Sequence, residues 1–339
     1  VGFVGIIANP ASGKDIRRVV SHATVVNNHE KVSIVRRLLL ALQASGVGRV
    51  EIMPDHFGIG ARALDGLRNV PQVQAMASLI DAPSDGVPFD GTSDDSLRAA
   101  QYLRDAGAGC IVVLGGDGTC RVVAKGLVPG EVPLLALSTG TNNVVPCFIE
   151  GTVAGAAAAY VALRPPAERE HCCYRHKRLL VHINGERVDQ ALVEVCLLAT
   201  GYVGARAVWS CDRLRQIFVS RAQPTSIGLS SVVGVVHPVS PLYPGGACAT
   251  LSAAGQQVMA PIAPGSLVQV GVGQVVVLEP NVPYPVQDER PAVLALDGER
   301  EIVLHDGDRA TVTLDLGGPW IVDVERTLMR AVQAGAFLR

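Results

Sequence analysis

The sequence predicts a two-part molecule: an N-terminal Rossmann-like parallel sheet with helices on both faces, then a C-terminal antiparallel β-sandwich. Three observations predict it. Apolar runs at 3–8, 111–114 and 132–137 show no polar alternation, as strands covered on both faces require. Each run ends in a loop of glycine, small hydroxyl or amide residues, and helix-period segments lie between the runs. Beyond Pro165-Pro166 the pattern changes to short strands cut by Gly, Pro and Asn. At 339 residues the chain is long enough for two cores. The boundaries read as 1–148 for the nucleotide-binding half, 149–316 for the β half, and 317–339 for a terminal helix that packs back on the first half.

The first strand, 3–8, runs into Asn9-Pro10-Ala11-Ser12-Gly13-Lys14, a loop stopped by proline and glycine, with Lys14 placed to meet a polyanion. It is no Walker loop, because the four-residue spacer and the Gly-Lys-Ser/Thr ending are missing. Val32, Val35, Leu38, Leu39 and Leu42 share one helical face. Residues 49–53 alternate as a strand, whose following loop holds Asp55 and His56 at the end where open α/β sheets place ligands. A helix is expected at 60–68, a strand at 73–80 and a helix from about 94 to Gly107.

The centre of the chain is the strand 111–114 and the turn Gly115-Gly116-Asp117-Gly118-Thr119, followed by apolar Val122, Val123 and Leu127 on a short helix. Three glycines let backbone amides and the helix N-terminus approach an anion. Glycine alone also makes an ordinary tight turn, and the acid decides between the two. A carboxylate beside a phosphate site repels the anion unless it holds a cation or takes a proton. The strand 132–137 repeats the device with Ser138-Thr139-Gly140-Thr141-Asn142-Asn143.

Residues 152–163 form an alanine-rich helix. The basic run 169–178 leads into a strand and then Asn184-Gly185, a type I′ hairpin signal. Strand character resumes at 188–200, with Glu194 inside it, and short strands follow at 232–236, 247–251, 267–271, 274–278 and 301–305. Residues 321–336 read as a helix.

Composition excludes several classes. Net charge is -2, so no basic field gathers nucleic acid or an anionic membrane. No apolar stretch reaches membrane-spanning length, and the opening residues lack a secretory signal pattern. Eight cysteines without a CxxC pair read as free thiols of a reducing, cytoplasmic compartment. His171, His176 and His182 lie near Cys172 and Cys173, but strand alternation splits them between faces, so no metal site is assigned. Short strands with exposed edges suggest a homo-oligomer.

Taken together, Asn9-Pro10-Ala11-Ser12-Gly13, Gly115-Gly116-Asp117-Gly118-Thr119 and Ser138-Thr139-Gly140-Thr141-Asn142-Asn143 resemble the loops of the NAD kinase and diacylglycerol kinase superfamily. Within it, the sequence is most similar to the ATP-NAD kinase branch that includes acetoin-catabolism protein X. The resemblance implies ATP or polyphosphate as phosphoryl donor, with ATP and a divalent cation, Mg²⁺, as the expected cofactors, a hydroxyl acceptor, and a site between the two halves. It implies that Gly115, Gly116, Gly118 and Thr119 hold donor phosphates, with Asn9 and Gly13 beside them; Lys14, by its place in the first loop, is expected to cover the same phosphates. Thr139, Gly140, Thr141 and Asn142 correspond to the second nucleotide loop. Asp117 is the family's acidic residue, and Leu296-Asp297-Gly298-Glu299 resembles the Asp-Gly-Glu turn that lipid-kinase relatives place at the catalytic site. Asp297 and Glu194 are its expected partners.

Two departures bear on the acceptor. Val193-Glu194 stands where NAD kinases carry Asn-Glu, and 224–230 lacks their Thr-Ala-Tyr ending. The reading is therefore ATP-dependent transfer to a hydroxyl of a small metabolite or nucleotide, linked through the resemblance to acetoin catabolism. The alternatives are a nucleotide-binding accessory protein with reduced catalysis, and an NAD kinase.

Overall fold

The computed structural model describes residues 2–13, 22, 26–81, 86–92, 94–127, 132–140, 142–200, 208, 210–287 and 290–338. Its first half is built on strands that bury every residue. Phe3–Ala8 (β1), Val50–Ile52 (β2), Ala108–Gly115 (β4) and Leu134–Ser138 (β5) are fully buried, with Ala77–Leu79 (β3) at the edge. These five pair in parallel in the order β3-β2-β1-β4-β5.

Alternation divides the sheet's side chains between two cores. Val4, Ile6, Val112 and Leu114 pack on one face under Asn28–Ala44 (α1) and Gly151–Ala162 (α6). Phe3, Ile7, Ile111 and Val113 pack on the other under Asp94–Asp105 (α4) and Asp117–Gly126 (α5). The five apolar residues expected on one face of α1 are all buried. Helix α6 approaches α1 closely because Gly155 has no side chain; a Cβ there would stand 2.7 Å from that of Ala41.

Two short helices, Ile59–Asp65 (α2) and Pro71–Met76 (α3), follow β2. The strand expected at 73–80 is correct only for its end: Pro71 occupies the first turn of a helix, where its missing N–H costs nothing, and β3 starts at Ala77.

After Pro166–Arg169 (α7), Cys173–Arg175 (β6) joins the same sheet through Trp320–Val322 (β17), which pairs with β5 and β6. Asp323 caps Val324–Gln333 (α9) by accepting from the Arg326 N–H, so the segment expected as one helix from 321 is a strand, a cap and a helix. Helix α9 lies against α6.

The remaining strands make two antiparallel sheets. Arg178–Ile183 (β7), Glu186–Ala191 (β8), Pro283–Pro285 (β13) and Ala310–Asp315 (β16) form a four-stranded sheet in the order β13-β16-β7-β8. Glu194–Leu198 (β9), Leu214–Val219 (β10), Gly246–Ala263 (β11), Ser266–Leu278 (β12), Ala292–Leu296 (β14) and Glu299–Leu304 (β15) form a six-stranded one in the order β12-β11-β10-β9-β14-β15. Leu179, Val181, Leu197, Phe218, Leu294 and Val312 fill the space between these sheets. Asn184 and Gly185 have φ of 54° and 88°, the hairpin turn expected between β7 and β8.

One strand expectation fails here. Residues 232–236 were expected as a strand, but Ser230–Gly234 (α8) is a short helix whose Val232 and Val233 cover the outer face of the larger sheet. The expected pieces 247–251, 267–271 and 274–278 belong to two long paired strands, β11 and β12. Among the described residues no helix is long and apolar enough to cross a membrane.

Candidate functional site

The parallel sheet brings the loops after β1, β4 and β5 to one edge, and side-chain contacts lock them together. Asn9 Nδ2 donates to Thr119 Oγ1 at 2.9 Å, and Ser12 Oγ lies 2.8 Å from Thr139 Oγ1. Gly13, with φ of 74°, packs on the Thr139 carbonyl so closely that a Cβ would stand 2.6 Å from it. A Cβ on Gly140 would be 2.9 Å from Gly116 Cα and 2.6 Å from Asn143 Oδ1. The two glycine turns thus face each other with no room for side chains. The fully buried Lys31 of α1 supports the first loop by donating to the carbonyls of Asn9 at 2.8 Å and Ser12 at 3.0 Å.

Gly116 is the residue before α5 and offers no capping side chain. The amides of the first helical turn therefore have no partner within the helix and face the cleft. Asp117, the first residue of α5, is buried and anchored from the third loop. Its Oδ1 accepts from Val145 N at 2.8 Å, and its Oδ2 accepts from Val144 N at 3.0 Å. Burial, and then the charge of Asp297, push its carboxyl up to about 7.

Asp297 comes from the other half of the molecule. It and Gly298 make the turn between β14 and β15, with φ of 49° and 80°, for which Asp-Gly is suited. Between β8 and β9 the chain leaves one antiparallel sheet for the other, and its amides lose their ladder partners. The Asp297 carboxylate accepts them: Leu192 N at 3.0 Å, Val193 N at 2.8 Å and Glu194 N at 3.2 Å. Burial raises the Asp297 carboxyl, opposed by Arg121 and these amides. Arg121 Nε is 3.8 Å from Asp297 Oδ2, and its Nη2 is 2.8 Å from Glu301. Arg121 carries the contact from α5 to β15 and so ties the two halves together.

These residues line a cleft of about 710 Å³. Of the residues expected from sequence, Asn9, Gly13, Gly116, Asp117, Gly118, Thr119, Gly140, Asn142 and Asp297 line it. Gly115 and Thr139 lie behind the lining: Gly115 packs on the Thr119 side chain, and Thr139 on Ser12. Glu194 is buried and lies outside the lining, with its backbone joined to Asp297. Lys14 and Thr141 fall outside the described residues. Asp55 and His56 reach the cleft, although the Asp55 carboxylate accepts from the amides of Phe57, Gly58 and Ile59 and thereby starts α2.

Other lining residues were not expected. Arg121 and Lys125 follow Asp117 at intervals of four, one face of a helix, and a helical reading of 117–126 would have found them. Glu301 stands four residues after Asp297 and two after Glu299, which belongs to the Asp-Gly-Glu turn noted in the sequence, on one face of a strand. Asn143, which donates to Ser138 Oγ at 2.5 Å, also lines the cleft. The basic run 169–178 serves the fold instead. Lys177 Nζ donates to the carbonyls of Ser240, Tyr243 and Gly245, and Arg178 pairs with Asp315 at 2.6 Å.

A parallel sheet with this loop set, joined to a β-sandwich that returns an Asp-Gly-Glu turn to the cleft, is an NAD kinase-like fold. Residues 4–164 match the ATP-NAD kinase N-terminal domain, and residues 177–316 match the acetoin catabolism protein X C-terminal domain. The crystal structure of yeast NADH kinase complexed with NADH covers 100% of this chain and 88% of that one, at a TM-score of 0.51 and 15% identity, a likeness of fold. Acetoin catabolism protein X of Cupriavidus necator is 41% identical over 321 residues, 92% of this chain and 87% of that protein. The chain belongs to the acetoin catabolism protein X family.

Proposed function

We propose that the protein transfers a phosphoryl group from ATP to a hydroxyl of a small molecule, within the metabolic setting that the name of its acetoin-catabolism relative suggests. The observation that carries this reading is Asp117: a buried carboxyl, held near neutrality, at the start of a helix whose open amides face the same cleft. Phosphoryl transfer needs in-line positioning and neutralisation of charge on the transferred group, with little covalent work by the protein.

The amides of Gly116, Gly118 and Thr119, at the uncapped start of α5, suit the donor phosphates. Asp117 suits the acceptor hydroxyl. A carboxylate with a pKa near the working pH is a competent general base, and its two amide hydrogen bonds fix its direction.

The cleft fits Mg²⁺ arriving with the nucleotide. Among the described residues no three His, Cys, Asp or Glu gather to hold a metal alone. Mg²⁺ commonly takes one or two carboxylates plus substrate phosphates. Glu299 is suited to this, since its Oε1 would lie 3.4 Å from a Cβ on Gly118. When bound, the ion neutralises charge on the donor phosphates.

The test is label transfer. Full-length protein incubated with MgATP labelled at the γ-phosphate and a panel of hydroxyl compounds, NAD included, is expected to move label to an acceptor. Nucleotide binding with no label transfer to any acceptor would overturn the reading and leave an accessory nucleotide-binding protein.

A further inference from the structure

We infer that the acceptor is a small hydrophilic hydroxyl compound that carries no phosphate or carboxylate. This rests on the phosphoryl-transfer reading above and narrows its substrate class. Among the described residues, the cleft is lined by seven carboxylates, from Asp55, Asp94, Asp95, Asp117, Asp297, Glu299 and Glu301, of which Asp95 lies 3.4 Å from Arg98 and Asp297 and Glu301 pair with Arg121, against the lining cations of Arg121 and Lys125. Both cations are committed. Lys125 Nζ is 2.5 Å from Asp189, and Arg121 is shared among Asp189, Glu301 and Asp297. Withdrawing the buried Arg121 toward a ligand would take the cation away from the fully buried Asp297 side chain, an outcome that costs more than a new ion pair returns.

The carboxylates come from four places around the space, and the described residues of the loops after β1 and β5 contribute none. Asp117 forms its floor at the start of α5, and Asp297, Glu299 and Glu301 form the wall from the β-sandwich. Asp94 and Asp95 approach from the start of α4, and Asp55 from the loop after β2. The donor's phosphates are accommodated by helix amides and by Mg²⁺. A second anionic group, on the acceptor, meets carboxylates from α4, α5, the loop after β2 and the β-sandwich, and finds no uncommitted cation among the described lining residues. Juxtaposed like charges discriminate strongly against such a ligand.

The lining also argues against a lipid acceptor. Its apolar members, Pro10, Ala11, Met53, Leu97 and Val122, come from four separate segments and are interleaved with charged and amide side chains. An acyl chain needs a continuous apolar wall. Polyols, diols and amino alcohols fit: their hydroxyls donate to carboxylates, and an ammonium is attracted by them.

The experiment uses full-length protein with Mg²⁺ and chemically matched acceptors: glycerol against glycerol 3-phosphate and glycerate, erythritol against erythronate, ethanolamine, and NAD. Transfer is read as ADP release. Acceptor binding is read separately by calorimetry in the presence of Mg²⁺ and a non-hydrolysable ATP analogue. The expected result is that every acceptor that binds or turns over is neutral or cationic, with the phosphorylated or carboxylated partner at least about tenfold weaker. Asp94→Lys is expected to narrow that gap by improving the anionic partner. A neutral or cationic acceptor that binds without ADP release would overturn phosphoryl transfer while upholding the acceptor class. Preferred binding or turnover of NAD, glycerol 3-phosphate or a sugar acid would overturn the inference and uphold the transfer reading.

Discussion

Asp117 and Asp297 are two buried acids with different work. Asp297 is an acceptor for three amides left over where the chain changes sheets, and it is the buried partner of Arg121. Asp297→Ala leaves those groups unsatisfied in the interior, and urea unfolding is expected to show a loss of about 3–5 kcal/mol. A loss under about 1 kcal/mol would show that the amides find other partners. Asp117 is pushed up to about 7 in the fold, against an ordinary aspartate value of 3.8. Its protonated form is the one the fold prefers, so its contribution to stability is full below about 4 and is lost as pH rises through about 7. Asp117→Asn is expected to flatten this part of the stability profile, raising Tm relative to wild type more at pH 8 than at pH 5. Catalysis runs the other way. A general base must be ionised, so kcat/KM is expected to rise with pH through an apparent pKa near 7. A flat profile between pH 5.5 and 8.5 would remove Asp117 from that role.

At the scale of elements, the site depends on glycines that let turns meet and on one lysine beneath them. Gly140→Ala would drive a Cβ to 2.9 Å from Gly116 Cα, so the two nucleotide loops must separate. The expected effect is an ATP KM raised by about tenfold, with a smaller change in kcat. Lys31→Met removes the donor that holds the Asn9 and Ser12 carbonyls. It is expected to raise the ATP KM in the same way, whereas Lys31→Arg partly restores it; an unchanged KM would show that the loop holds without it. The glycine turns were legible in the sequence because strand, turn and helix each have a local signature. Asn9, Gly116, Asp117 and Gly140 therefore reached the cleft as expected. Lys31 was not legible, since a lysine in an amphipathic helix reads as solvated until the packed loop shows what buries it. Glu194, an acid within an apolar strand, is buried outside the cleft lining, with its backbone amide donating to Asp297. The strands expected at 73–80 and 232–236 failed because short apolar runs fit helix and strand alike, and packing chose between them.

At the scale of the molecule, the parallel sheet supplies the glycine loops, and the β-sandwich supplies Asp297, Glu299 and Glu301 from one turn and its strand. Arg121 crosses between the halves, and its partner Asp189 lies on β8, so the two parts of the cleft are joined by charge as well as by chain. On the proposed reading, the cleft's surplus of carboxylates among the described residues is expected to make nucleotide binding depend on a divalent cation. With EDTA in excess, ATP is expected to bind at least about tenfold more weakly by calorimetry. Equal affinity with and without Mg²⁺ would contradict that electrostatic reading.

The central claim is that Asp117 activates the acceptor beside ATP held by the glycine loops. Its most direct measurement compares wild type and Asp117→Asn for ADP release at matched ATP occupancy, with occupancy set by calorimetry and the fold checked by circular dichroism. The expected result is unchanged ATP binding and fold, with acceptor-dependent ADP release reduced by at least about a hundredfold. Acceptor-dependent release at the wild-type rate from a folded, ATP-loaded variant would contradict it.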